Sequence, residues 1–181
     1  MNASALRRRN ALWSNTAGNN LLMISVGIIT VSDRASQGAY EDLGGPALRI
    51  AVQGYGWQVL AEAVVPDDKF RIQETIRSLS AQGCGLVLTT GGTGIAPRDV
   101  TPEAIREIMR LEIPGFGEAM RMQSLTLTPN ALLSRSLGAL VDRSLVLALP
   151  GKPQGAVDCL SFVKDAIPHS VKLVLGVPTS C

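Results

Sequence analysis

Histidine and cysteine are scarce: the 181 residues hold one His, His169, and three widely spaced Cys, Cys84, Cys159 and Cys181. A lone imidazole builds no histidine-rich metal site, and His169 reads as an ordinary surface or helix-end residue. Three scattered thiols make neither a zinc cluster nor a disulfide framework, so a reducing, cytoplasmic setting is expected. Aromatic residues are also few, two Trp, two Tyr and three Phe, which leaves little to stack on exposed bases. Nor does one sign of charge dominate. The formal net charge is +2, but Arg7, Arg8 and Arg9 lie in an acid-free stretch over 1–22, so residues 23–181 sum to −1. Without a basic field over the body, nucleic-acid binding is not expected. No apolar run approaches the roughly 18–20 residues needed to cross a bilayer, so no membrane span is expected.

What remains is a globular profile, 46% hydrophobic and 18% charged, of a length that suits one domain with a sizeable core. Residues 1–22 are polar and without period, and are read as a disordered extension rather than a targeting segment. The domain is expected over 23–181, with no internal repeat or linker.

The most informative stretch is Thr89–Asp99, Thr-Thr-Gly-Gly-Thr-Gly-Ile-Ala-Pro-Arg-Asp. It follows the strand-like run Leu86–Thr89 and precedes Thr101-Pro102-Glu103, which reads as a helix start with Thr101 at the N-cap. Glycines in such a strand–loop–helix let backbone N–H groups approach an anion, and the threonines add hydroxyl donors. Arg98 and Asp99 then place a cation and a carboxylate at the lip of the loop. The spacing is neither that of a P-loop nor that of a dinucleotide fingerprint, and a plain tight turn explains many such loops.

Other segments converge on the same pattern. Met23–Val31 is a nearly continuous apolar strand of the kind buried on both faces of a parallel sheet. It ends in the polar loop Ser32–Gly38, where Ser32, Asp33 and Arg34 would face a ligand off the sheet's carboxyl edge, or merely satisfy local backbone groups. A helix is expected over Gly44–Gln53, a strand over Trp57–Val65 and a helix over Asp68–Ser80. Asp67, after Pro66, reads as the N-cap of that helix, a site carboxylate, or both. Glu112–Glu118 reads as a turn followed by a helix through Met120 and Arg121, with Phe116 and Met120 packing in the core. Leu140-Val141 and Leu145–Leu149 read as a hairpin running into the rigid turn Pro150-Gly151-Lys152-Pro153. Gln154–Asp165 reads as helix, and Val171–Leu175 is undecided between helix and edge strand.

Seven motifs in order, Ser32-Asp33-Arg34, Pro66-Asp67, Thr90–Gly94, Arg98–Ala104, Pro114–Glu118, Ser134-Arg135 and Leu149-Pro150-Gly151, resemble the molybdopterin adenylyltransferases of the MogA/MoaB type, related to the gephyrin G domain. The likeness runs from about Met23 to Ser170. It implies an α/β three-layer sandwich with a mostly parallel sheet and helices on both faces, and a homotrimer. It further implies transfer of an adenylyl group from Mg-ATP to molybdopterin, giving adenylyl-molybdopterin and pyrophosphate in molybdenum cofactor biosynthesis. By the resemblance Asp67 and Asp99 are catalytic and handle Mg²⁺ and the ATP phosphates. Ser32, Asp33, Thr90, Gly91, Gly92, Thr93, Gly94, Glu118, Ser134, Arg135, Pro150 and Gly151 would form the substrate pocket, with Glu118 accepting from the pterin edge. The product would pass to a molybdate-inserting protein. The alternatives are a pterin-binding or scaffolding module without turnover, and a competence-damage-type domain acting on other nucleotides. The extension over 1–22 has no place in the family pattern.

Overall fold

A computed structural model describes residues 23–178; residues 1–22, with the expected extension, and residues 179–181, with Cys181, lie outside the described residues. Six strands form one sheet: β1 (Ser25–Val31), β2 (Gln58–Val65), β3 (Leu86–Thr90), β4 (Leu111–Glu112), β5 (Leu137–Val141) and β6 (Ser144–Leu149), in the spatial order β2-β1-β3-β6-β5-β4. β2, β1, β3 and β6 run parallel, while β5 is antiparallel to β6 and β4 to β5. The central strands β3 and β6 are buried along their whole length, as expected for largely apolar runs in the middle of a parallel sheet. Edge strand β2 instead alternates exposed and half-buried positions.

The helices are α1 (Asp33–Ser36), α2 (Gly44–Gly54), α3 (Lys69–Ala81), α4 (Thr101–Ile108), α5 (Pro114–Leu125), α6 (Pro153–Val163) and α7 (Ile167–Leu175), with 3₁₀ turns at Pro129–Leu133 and Lys164–Ala166. On one face of the sheet Val26, Ile28, Leu86 and Leu88 pack against Leu48 and Val52 of α2, Phe116 and Met120 of α5, Leu160 of α6 and Val171 of α7. On the other, Ile29, Val31 and Val87 pack against Ile72, Ile76 and Leu79 of α3 and Ala104 and Ile105 of α4. The expected three-layer α/β architecture is therefore present. Each fully buried Leu, Ile or Val contributes about 1.5–3 kcal/mol relative to exposure, so both faces hold the sheet in place.

This topology positions the site. β1 has β2 on one side and β3 on the other. The chain leaving β1 turns to α2 on one face, and the chain leaving β3 turns to α4 on the opposite face. The two exit loops diverge, and a crevice opens at the carboxyl ends between them.

Three local expectations change, and one open choice closes. Asp68, not Asp67, caps α3: its Oδ1 accepts the Arg71 N–H at 2.9 Å, which leaves the Asp67 side chain for other partners. Thr101 is already helical and is no side-chain cap, because its hydroxyl donates to the Gly91 carbonyl at 2.9 Å. The stretch expected as a turn over Glu112–Glu118 is helical from Pro114 onward, preceded by the two-residue β4. Val171–Leu175 belongs to helix α7, closed by Gly176 at φ 70°.

Candidate active site

A cleft of about 540 Å³ opens at the carboxyl edge, lined among others by Ser32, Asp33, Asp67, Thr90, Gly91, Gly92, Asp99 and Gly151. These residues come from the ends of β1, β2, β3 and β6 and are distant in sequence. Their arrangement is held by specific bonds. The Asp33 N–H donates to Asp67 Oδ2 at 2.9 Å, and the Asp67 N–H donates back to Asp33 Oδ1 at 3.0 Å. That reciprocal pair ties the loop after β1 to the loop after β2. The Arg98 guanidinium then donates to Asp33 Oδ2 at 2.6 and 3.0 Å.

The glycine loop is threaded tightly through the same region. Gly91 has φ 108° and Gly92 has φ 62°, in the left-handed range that glycine enters most easily. A Cβ on Gly91 would lie 2.2 Å from the Val31 carbonyl oxygen. On Gly92 it would lie 2.4 Å from Thr101 Oγ1 and 3.1 Å from Asp67 Oδ1. The backbone at Gly92 thus runs directly against the Asp67 carboxylate. Asp99 closes the loop on itself: its Oδ2 accepts the Ala96 N–H at 2.7 Å.

The electrostatics are asymmetric. The Arg98 guanidinium holds the Asp33 carboxyl below the usual carboxylate range. Burial pushes Asp67 above it, the hydrogen bond with Asp33 opposes that shift, and the nearby charges of Asp33 and Asp99 add to it. Asp67 is therefore a half-buried carboxylate whose negative neighbours Asp33 and Asp99 are opposed by the positive charge of Arg98. Among the described residues nothing hydrogen-bonds to Asp67 Oδ1 or Asp99 Oδ1, whereas each Oδ2 is held by a backbone N–H. These are hard oxygen donors with one free oxygen apiece. They suit Mg²⁺, which takes one or two carboxylates and completes its shell with substrate phosphates and water. No group of three or more His, Cys, Asp or Glu forms a self-sufficient metal site among the described residues.

Other residues named from the sequence lie around the cleft rather than in its lining. Thr93 is buried and donates to the Leu149 carbonyl at 3.3 Å. Gly94 sits against Asp99, its Cβ position 2.8 Å from Asp99 Oδ2. Pro150 accepts the Thr90 hydroxyl at 2.7 Å through its carbonyl. Ser134 donates to the Ser136 hydroxyl at 2.9 Å. Arg135 reaches the carbonyls of Gly94 and Asp99 and the Glu103 carboxylate. Glu118 is exposed on α5. Ser32 both lines the cleft and caps α1, its Oγ accepting the Ala35 N–H at 3.2 Å.

The cleft also holds Asp42, which the sequence did not single out. Asp42 accepts the Thr30 hydroxyl at 2.8 Å and the N–H groups of Gly44 and Gly45 at 2.9 and 3.1 Å. Its place just before Leu43-Gly44-Gly45 at the start of α2 was the available signal. Arg34, 5.0 Å from the Tyr40 ring centre, and Lys152 bring positive charge to the walls. Neither buried thiol competes as a nucleophile, since burial pushes Cys84 up to about 11 and raises Cys159 as well.

Comparison with known proteins gives a consistent result. A family described as "probable molybdopterin binding domain" matches residues 27–169. The molybdopterin adenylyltransferase of Helicobacter pylori strain J99 is 44% identical over 156 residues, covering 84% of this chain and 89% of that protein. The enzyme of the same name from Escherichia coli K12 is 42% identical over 174 residues, covering 84% of this chain and 86% of that protein. Among solved structures, the molybdopterin biosynthesis enzyme MoaB of Thermus thermophilus superposes with a TM-score of 0.81 at 43% identity, covering 87% of this chain and all of that one. With the match spanning sheet, crevice and glycine loop alike, the chain belongs to the family of probable molybdopterin-binding domains.

Proposed function

We propose that this protein transfers an adenylyl group from ATP to the terminal phosphate of molybdopterin, with release of pyrophosphate, in molybdenum cofactor biosynthesis. The observation that carries the reading is the meeting of Asp67, Asp99 and the Gly91-Gly92 backbone in one crevice. The likeness to molybdopterin adenylyltransferases at 42–44% identity supports it.

The chemistry is an exchange of phosphoanhydride partners. An oxygen of the pterin phosphate attacks the α-phosphorus of ATP, a new P–O bond forms, and the bond to the β-phosphate oxygen breaks. Such a transfer needs alignment and charge neutralisation more than a covalent nucleophile, consistent with a cleft that offers no reactive Cys. Asp67 and Asp99 would hold Mg²⁺ through their free oxygens. The ion, when bound, neutralises the triphosphate and the charge gathering on the leaving pyrophosphate. Gly91 and Gly92 bring backbone close enough to meet a phosphate without an intervening side chain. Arg98 orients Asp33, and Asp33 in turn fixes Asp67 through their paired N–H bonds.

Further parts of the reading concern the setting. A homotrimer suits the exposed apolar residues Met122, Leu125, Leu127, Leu132 and Leu133, which lie on α5, on the 3₁₀ turn packed against it, and in between. Exposed apolar clusters of this kind mark association surfaces. Cytoplasmic location suits ATP use and two unpaired buried thiols. Adenylyl-molybdopterin then passes to a molybdate-inserting protein. The decisive experiment incubates purified protein with molybdopterin, ATP and Mg²⁺ and follows adenylyl-molybdopterin and pyrophosphate. Tight pterin binding without product selects a scaffold in place of an enzyme, and turnover of other nucleotides alone selects the competence-damage type.

A further inference from the structure

Arg135 is absent from the cleft lining, yet its donors converge on the loop that carries Asp99. Its backbone N–H donates to the Thr93 carbonyl at 2.9 Å, Nε to the Gly94 carbonyl at 2.6 Å and Nη2 to the Asp99 carbonyl at 2.5 Å. Nη1 pairs with the Glu103 carboxylate in the first turn of α4. One side chain therefore ties both ends of the Gly94–Asp99 segment, which contains no helix or strand, to the start of the following helix. Gly94 is in turn packed against the Asp99 carboxylate, so a shift at the Gly94 carbonyl is transmitted to Asp99 Oδ2. The second Glu103 oxygen is buried without a hydrogen-bond partner, so Arg135 supplies the ion pair that the Glu103 side chain makes.

We propose that Arg135 is a positioning residue that sets the Asp99 carboxylate for the nucleotide's divalent ion. The proposal rests on the metal role given to Asp99 above. It assigns Arg135 to the machinery without contact to either substrate. The planar fork matters here, because a point-charged lysine cannot reach two carbonyls and a carboxylate in fixed directions at once. Partners that orient a metal ligand commonly alter metal affinity by about 10–100-fold when changed.

The test uses the full chain and three readouts on the parent, Arg135→Lys and Glu103→Gln. The first is amide hydrogen exchange over residues 93–99. The second is Mn²⁺ binding by electron paramagnetic resonance in the presence of a non-hydrolysable ATP analogue. The third is kcat and KM for molybdopterin. For Arg135→Lys the loop amides exchange faster, Mn²⁺ binds about tenfold more weakly, and kcat falls while KM for molybdopterin stays near the parental value. Glu103→Gln keeps the guanidinium and weakens its anchor, so it gives the same pattern at smaller amplitude even where the lysine variant fails to fold. Parental exchange and parental Mn²⁺ affinity in the variants overturn the proposal, as does a raised KM with an unchanged loop, which makes Arg135 a substrate contact. A parent that binds no Mn²⁺ with the analogue overturns the metal assignment of the previous section, and the exchange readout still decides whether Arg135 orders the loop.

Discussion

Replacing Gly92 by alanine tests the close approach of the glycine loop to Asp67. At φ 62° an alanine takes up the left-handed conformation at a cost of about 1–2 kcal/mol. The added methyl also lies 2.4 Å from Thr101 Oγ1, so that hydroxyl must move from its 2.9 Å bond to the Gly91 carbonyl. Losing that bond costs about 1 kcal/mol. The sum of about 2–3 kcal/mol is a fraction of an ordinary domain stability on the order of 5–15 kcal/mol, so the variant folds. At roughly 2–4 °C per kcal/mol for a chain of this size, its melting temperature falls by about 4–12 °C. Activity falls further, because the same methyl presses on Asp67 Oδ1 from 3.1 Å, and an ångström-scale displacement in a transfer site costs on the order of 10²-fold. Calorimetry and the pyrophosphate assay measure the two effects separately. Adding Thr101→Ala removes one source of the clash, so the double variant is less destabilised than the sum of the two single changes. Gly54→Ala is the control: no atom lies within 4 Å of its added Cβ, and it is neutral or gains up to about 1 kcal/mol. Parental melting and turnover in Gly92→Ala refute the reasoning.

Three further outcomes are expected. Asp67→Asn and Asp99→Asn keep the fold but lose on the order of 10²-fold or more in adenylyl transfer, with little change in pterin binding by fluorescence titration. Parental turnover in both removes the metal assignment. Without ligands, Asp67→Asn melts higher than the parent at pH 7. Burial raises the Asp67 carboxyl above its ordinary value of 3.8, so the folded chain is penalised once that group ionises. The penalty appears as pH rises through 3.8 toward the folded value, and the difference between the two proteins vanishes in melts taken below it. Asp68→Ala removes the cap on α3 and costs about 0.5–2 kcal/mol in chemical denaturation, while transfer activity stays parental because Asp68 is outside the cleft lining.

The contrast between Asp67 and Asp68 shows what the sequence could and could not disclose. Strands β1, β3 and β6 were legible because they are nearly continuous apolar runs, and the carboxyl ends of such parallel strands open on the crevice by topology alone. Which of two adjacent acids caps a helix depends on where the other points, and Asp67 points at a backbone N–H at position 33. The Thr101 hydroxyl was misplaced for the same reason: a carbonyl ten residues earlier, at Gly91, outcompetes the local cap. Gly117 suggested a turn, yet it lies inside α5, where a Cβ would come within 2.6 Å of the Ser136 carbonyl; glycine there serves close packing. β4 is too short at two residues to leave a periodic signal. The contacts of Arg135 with Gly94 and Asp99 span 41 and 36 residues, a range over which spacing carries no information. Glycine loop, paired acids and strand ends could be read from the chain, whereas the bonds that register them against one another could not.

The mutual N–H bonds between Asp33 and Asp67 also constrain how this protein can vary. Either side chain, if shortened, leaves an amide unsatisfied at the tip of a strand to which it does not belong. A change of side chain at one position is thus felt at the backbone of the other, although 34 residues separate them. A replacement at either position satisfies the opposite amide only if it keeps an acceptor of the same reach.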